Sequence, residues 1–386
     1  MITEPLAILA VLLGAILFSV WITKRYAWAA RFSVVLWIIF ASALCSNLGL
    51  IPGDAPLYGA TVGFAVPFAV CVILFTVRLS DIRDAGKPML VAFALAIAGT
   101  VLGVIVASLA LAPLLGDVLA EDSWKLSGPY TGTYIGGSLN FFALWTGLEI
   151  GQPDLLAAAN AVDNLTLFPL YATWMVVPAW LAGKYLVAPR WKPHHVENSG
   201  PGATTEKPPL DPAQVAALVF LAVLVMAVSA WLKDSFIDRI APAVPTILVI
   251  TTLALALGQV PAIRNLKGAW EIGDLAFYLF FAAVGAMIDV YQAVVLSPVL
   301  FLYVVIIMTV HFTWLYGIGR MLRMDLGVLT IASVATKAGP PLVLPVAEAM
   351  GWRHLVLPGI VLGMLGYAIG NYVGFAVANA VRGLLG

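Results

Sequence analysis

Twelve apolar segments run through this chain, and each must satisfy its own backbone or be covered by protein. They are residues 5–22, 33–50, 57–78, 87–112, 129–150 and 154–186, then 214–232, 239–258, 272–289, 296–320, 327–350 and 354–385. Hydrocarbon offers no partner to an N–H or C=O, so a lipid-exposed segment spans as an α-helix. Composition agrees: of 386 residues, 62% are hydrophobic and 10% charged, against about 25% charged in globular domains. The sequence predicts an all-α polytopic membrane protein. A formal net charge of zero points to no nucleic-acid partner. Cys45 and Cys71 lie in apolar segments and read as small packing residues. Glu4 precedes the first apolar run and Lys24 and Arg25 follow it. A cleavable signal has the reverse order, so this run reads as an uncleaved first helix that starts outside.

The two halves share a layout. Each has four apolar helices, a Gly/Pro-broken polar segment and a long helix, with corresponding segments roughly 200–215 residues apart. The broken segments are GTYIGGSLNFFALWTGLEIG and TIASVATKAGPPLVLPVAEAMG. Paired interruptions of this kind are the best sequence pointer to a transporter binding site. Between the halves, residues 188–212 are rich in Pro, Gly and charge and read as a solvated linker.

Basic residues set the orientation. Lys24, Arg25 and Arg31 place the first connection in the cytoplasm, and Arg78, Arg83 and Lys87 the third. The linker, with Lys184, Arg190, Lys192 and Lys207, belongs there too, as do Arg264 with Lys267 and Arg320 with Arg323. Asp117, Glu121 and Asp122 mark 113–128 as external. Twelve full crossings contradict this pattern. About ten spans satisfy it if 129–150 is a re-entrant hairpin from outside and 327–350 one from the cytoplasm. The halves are then inverted repeats, and the tips GGSLN and KAGPP meet near the midplane. The alternative is two broken helices that cross fully.

The candidate site residues lie at and beside the breaks. Asp163 is the exception among acidic residues otherwise placed in loops or at segment ends. An isolated charge at the bilayer centre costs about 2.5–3.5 kcal/mol on insertion scales, so a buried carboxylate needs a purpose. Asn160, Asp163 and Asn164 share a helix face with Leu167, a set suited to Na⁺ or to carrying H⁺. The structural alternative is an Asp locked to a basic residue. Lys337, inside the second break, is read as counter-ion to Asp163, stand-in for a cation, or handle for an anionic solute. Its alternative is a lysine snorkelling to the cytoplasmic edge. Gly136, Gly137, Ser138, Asn140, Thr336, Gly339, Pro340 and Asn371 are the candidate solute-binding residues, with small-residue helix packing as the alternative. Thr131, Thr133 and Ser333 are weaker candidates. His311 reads as a hydrogen-bonded packing residue. Trp21, Trp28, Trp191, Trp231 and Trp270, near segment ends, read as interfacial anchors. Enzyme motifs are absent: GGSLN is not G-x-S-x-G, and there is no P-loop, H-E-x-x-H or C-x-x-C.

YIGGSLNF at 134–141, the Ala159–Asn164 stretch and GYAIGNY at 366–372 together resemble the YjcL-like membrane proteins. This is a domain-of-unknown-function family grouped with the cation:proton antiporters and anion transporters. The resemblance covers the whole chain, including GWRHLVLPG at 351–359. It implies a scaffold domain, a core domain with two crossed broken elements, and elevator-type movement. On this chain the expected scaffold helices are 1–86 and 214–295, the core helices 87–187 and 296–386, and the cytoplasmic linker 188–213. Asp163 and Asn164 match in position the acidic pair of related antiporters. The second break departs: the family's is Asn-rich with a GGP core, whereas here it is ATKAGPP. The expectation is a multi-pass secondary transporter of the cytoplasmic (inner) membrane. It moves a small anionic or zwitterionic organic solute with H⁺ or cation coupling, forms a homodimer, needs no cofactor beyond Na⁺ or H⁺, and is not an enzyme. The alternatives are a monovalent cation/proton antiporter, or a passive channel or non-transport subunit.

Overall fold

Every regular element among the described residues is a helix. The computed structural model describes residues 1–26, 29, 34–79, 85–181, 210–241, 244–288 and 290–385. Most of the linker lies outside them, with Lys184, Arg190, Lys192 and Lys207, as do Arg31, Arg83, Trp28, Trp191 and the side chains of Glu121 and Asn164.

The first half holds α1 (Pro5–Arg25), α2 (Val34–Asn47), α3 (Pro56–Leu74), α4 (Lys87–Ala110), α5 (Ala112–Leu119), α6 (Ser127–Gly136), α7 (Ser138–Gly147) and α8 (Pro153–Leu181). The second holds α9 (Pro212–Leu232), the short α10 (Asp238–Ile240), α11 (Thr246–Gly258), the short α12 (Pro261–Arg264), α13 (Ala269–Ala286), α14 (Val290–Met321), α15 (Leu326–Ala338), α16 (Pro340–Ala349) and α17 (Val356–Leu385). Prolines open α1, α3, α4 and α9, where the missing N–H costs nothing and φ is already helical. Glu4 caps α1 by accepting from the N–H groups of Leu6 (3.1 Å) and Ala7 (2.7 Å). Among the described residues seven helices are long and apolar enough to cross a membrane. Their counterparts α2 and α11 have 14 and 13 residues and reach only about 20 Å. This is a polytopic membrane protein.

Two pairs of corresponding helices, α4 with α14 and α3 with α13, pack on each other, and α4 and α14 run antiparallel. Between α4 and α14, Gly99 meets His311, Gly103 meets Ile307, and Ser108 bonds Tyr303 at 2.7 Å. In α13, Gly273 near the start faces Ile73 at the end of α3, and Gly285 near the end faces Ile39 of α2. Matched helices that oppose one another make the halves inverted repeats. The contacts also sort the helices into two groups. One comprises α1, α2, α3, α9, α11 and α13; the other comprises α4, α6, α7, α8, α14, α15, α16 and α17.

Both broken segments fold back on themselves. Gly137 (φ 74°, ψ −176°) and Gly339 (φ 66°, ψ −167°) hold nearly the same conformation, one that a side chain disfavours. Pro340 then starts α16 where α15 has stopped. A Cβ on Gly132 would lie 2.6 Å from Leu144, and one on Gly128 2.5 Å from Leu148. In a straight helix these pairs would be about 18 and 30 Å apart, so α6–α7 is a hairpin. In α15–α16, Gly327 at one arm's start meets Trp352 just beyond the other's end.

Helix α17 joins the two hairpins through a glycine stripe. Gly359 meets Ile331 and Val343, Gly363 meets Gly339 and Pro340, Gly366 meets Ile135 and Gly136, Gly370 meets Asn140, and Gly374 meets Gly128 and Leu144. The tips reach α17 at Gly363 and Gly366, about one helical turn apart. The hairpin bases point to opposite ends of α17, so the hairpins are opposed.

Candidate functional site

Where the tips meet, a cavity of about 360 Å³ opens. It lies along the seam between the two helix groups, in the half of the molecule where α13 begins. Gly137, Ser138 and Leu139 line it from the first hairpin, Lys337 and Ala338 from the second, and Asn160, Asp163 and Leu167 from α8. The other helix group supplies Val35, Ile73 and one face of α13.

Asp163 of α8 and Lys337 of the second break both face this common space. Thr133 Oγ1 donates to Asp163 Oδ2 at 3.3 Å. Asp163 also neighbours Tyr134 and Lys337. The Lys337 side chain, 4% exposed, does not snorkel to an edge. Its Nζ lies 4.8 Å from the centre of the Tyr134 ring and donates to Thr100 Oγ1 at 3.4 Å. Among the described residues no direct ion pair joins Asp163 to Lys337. The Thr133 hydroxyl holds the carboxylate, and the Thr100 hydroxyl and the Tyr134 ring hold the ammonium, while both residues line the cavity. Helix α7 begins at Ser138 without a side-chain cap, so its positive end also points there.

Behind Lys337 a buried polar network ties four helices, α4, α8, α14 and α15. His311 Nδ1 meets Thr100 Oγ1 at 3.1 Å, and its Nε2 meets Ser333 Oγ at 3.0 Å. Trp174 Nε1 donates to the same Ser333 oxygen at 3.1 Å. His311 thus packs by hydrogen bonding, and it also anchors the residue that holds Lys337. A His311→Phe variant leaves Thr100 and Ser333 without this partner. It is expected to lose about 1–3 kcal/mol of stability, read from chemical denaturation of the purified protein. Unchanged denaturation would show that the bridge contributes nothing.

Of the residues chosen from sequence, Gly137, Ser138, Asn160, Asp163 and Lys337 line the cavity. The remainder are placed around it. Gly136 abuts the Gly366 carbonyl. Asn140 Nδ2 donates to the Tyr367 carbonyl at 3.3 Å. Thr336 bonds the Ser333 carbonyl at 2.9 Å, and Gly339 and Pro340 pack on Tyr367 and Gly363. Asn371 Nδ2 donates to Thr251 Oγ1 of α11 at 3.0 Å. Trp270, read from the sequence as an interfacial anchor, also lines the cavity, its ring 5.9 Å from that of Tyr367. Tyr134, Asp274 and Tyr367 were missed. Tyr367 directly follows the Gly366 of GYAIGNY and touches both break glycines.

A second, wider depression of about 1210 Å³ lies along the same seam at the base of the first hairpin, lined by Thr146–Glu149, Lys125, Thr246 and Arg382 among others. Phe142 of α7 stands between the two spaces, its ring 4.6 Å from Phe281 and 5.0 Å from Phe280 of α13. A family model described as a protein of unknown function (DUF819) matches residues 7–384. The chain is 29% identical over 373 residues to the uncharacterized membrane protein YjcL of Bacillus subtilis (strain 168), which covers 94% of this chain and 93% of that protein.

Proposed function

The chain belongs to the DUF819 family, and we propose that it is a secondary active transporter working by alternating access. The observation that carries this reading is the cavity at the meeting tips of two opposed hairpins. Its walls come from two helix groups and carry a carboxylate and an ammonium. Polar groups concentrated at one depth suit a carrier, whereas a pore needs a continuous polar lining. Asp163 carries the coupling H⁺ or cation. Lys337 and the start of α7 form the positive wall for the anionic end of a small organic solute. The α4–α8 and α14–α17 group moves against the other, elevator-fashion, and Phe142 against the α13 phenylalanines closes one side.

A second reading, monovalent cation/proton exchange, is favoured by Asp163 and Lys337 facing one space without pairing, since the ammonium could stand in for a departing cation.

Ser138, exposed in the cavity, provides the test. Ser138→Cys is placed in a chain whose Cys45 and Cys71 are replaced by alanine. Vesicles of both orientations are then treated with a membrane-impermeant thiol reagent, with and without Na⁺ and at several pH values. A carrier exposes this position to one face at a time, and the exposed face changes with conditions. Labelling from both faces at once under every condition would identify a channel and defeat the proposal. Labelling from one face only, whatever the conditions, would defeat it as well.

A further inference from the structure

Helix α17 passes three levels of the seam in turn. Tyr367 lines the cavity at the hairpin tips, and Phe375, Asn379 and Arg382 line the wide depression at the base of the first hairpin. Between them α17 is hydrogen-bonded to α11 of the other helix group. Asn371 Nδ2 donates to Thr251 Oγ1 at 3.0 Å, and the Tyr372 hydroxyl lies 2.8 Å from Thr252 Oγ1. On α11, Thr246, Ile247 and Ile250 line the depression and the two threonines follow. Both helices therefore place these bonds at the partition between the two spaces, where Phe142 also stands.

The threonines fix the direction of the bonds. Each gives its own proton to its helix, Thr251 to the Ile247 carbonyl and Thr252 to the Leu248 carbonyl, both at 2.7 Å. Each threonine oxygen is left to accept, so Tyr372 donates. Bonding within the helix is the common arrangement for a polar side chain among apolar ones, and Asn379 follows it, donating to the Phe375 carbonyl at 2.9 Å. Asn371 and Tyr372 reach across the seam instead. The Asn371 side chain is buried, and among the described residues its Oδ1 has no protein partner. A half-satisfied buried amide packs no better than an apolar residue of its size, so packing alone does not account for the asparagine.

We propose that the Asn371–Thr251 and Tyr372–Thr252 bonds form a latch that holds the cavity closed toward the depression. Phe142 against Phe280 and Phe281 closes the same partition by apolar contact, which is non-directional and tolerates sliding. Hydrogen bonds depend on distance and angle, and a shift of a few ångströms between the helix groups breaks both. The latch then sets how the protein divides its time between two exposures. A latch has work only where the groups move, so it rests on the alternating-access reading; the alternative is fixed glue between groups that never separate.

The test uses the Ser138→Cys chain lacking Cys45 and Cys71, and reads the ratio of its labelling rates from the two faces. Asp122→Cys in the same background identifies the face on which the depression opens, since Asp122 is exposed there. Thr251→Val with Thr252→Val keeps the shape of both side chains and removes both acceptors. It should move the ratio toward the depression's face by about tenfold, and Tyr372→Phe, which loses one bond, by about two- to tenfold. Thr251→Ser with Thr252→Ser keeps both oxygens and should keep the parent ratio. Melting of each variant reports its folding, and Tyr372→Phe, whose bond is exposed, covers the case in which the valine pair fails to fold. A parent chain that alternates while the folded variants keep its ratio overturns the latch and leaves the transport reading intact. A shift toward the other face, or an equal shift in the serine pair, overturns it as well. A parent whose Ser138→Cys never changes face defeats the transport reading, and the latch falls with it.

Discussion

Gly366→Ala is expected to be among the most damaging single-methyl changes in the protein. A Cβ at this position would overlap the Ile135 carbonyl oxygen and come within 3.3 Å of the Gly136 Cα. Both obstacles are backbone, so no rotamer change relieves them. The hairpin tip must move off α17, and with it Asn140, whose amide reaches the Tyr367 carbonyl. Overpacking a core costs about 1–3 kcal/mol and occasionally more. With backbone on both sides, the cost here belongs at the upper end. Gly14→Ala is the matched control: it lies in α1 with nothing within 4 Å of the added carbon. There alanine should be neutral or gain up to about 1 kcal/mol from helix propensity. Melting of the two purified variants decides the matter. If Gly366→Ala melts like Gly14→Ala, the hairpin tip is not clamped by α17 as described.

This contrast also marks what could be read before the structure. The hairpins were legible because Gly137, Gly339 and Pro340 interrupt apolar runs, and because the basic residues refused twelve crossings. The convergence of Asp163 and Lys337 on one space followed from those hairpins. The glycine stripe of α17 was not legible. GYAIGNY carried the family resemblance and the candidate Asn371, whereas Gly366 and Gly370 serve close approach of the first hairpin, and the spacing alone does not say what approaches. Asp274 and Trp270 escaped because proximity to a segment end, after Arg264 and Lys267, has an adequate explanation in the membrane interface. Only the packing of α13 across the tips shows that this end of the helix faces a cavity. Thr100 and His311 lie on different halves of the chain, and no local pattern pairs residues so far apart in sequence.

The second large effect is expected at the charged pair. Asp163→Asn removes the carboxylate to which the proposed mechanism assigns ion coupling, so any stabilisation by Na⁺ seen in the wild type should disappear. At a hundred times the dissociation constant that stabilisation amounts to about 2.7 kcal/mol. Each single substitution also leaves the other charge uncompensated at the edge of a low-dielectric core. Breaking a buried pair costs about 3–5 kcal/mol, an upper bound here because the two groups share a cavity without direct contact. Asp163→Asn combined with Lys337→Met removes both charges together. The double variant should therefore melt above the value that the two singles predict when added, with a coupling of about 0.5–3 kcal/mol. Lys337→Met alone should bind Na⁺ more tightly than wild type, since the ammonium no longer occupies the neighbourhood of the carboxylate. Strict additivity in the cycle would mean that the two charges do not sense one another. Na⁺ stabilisation that survives Asp163→Asn would move the ion site away from α8 altogether. If the cycle couples and the Na⁺ effect vanishes only where Asp163 is replaced, the carboxylate is the ion's ligand and the lysine its competitor.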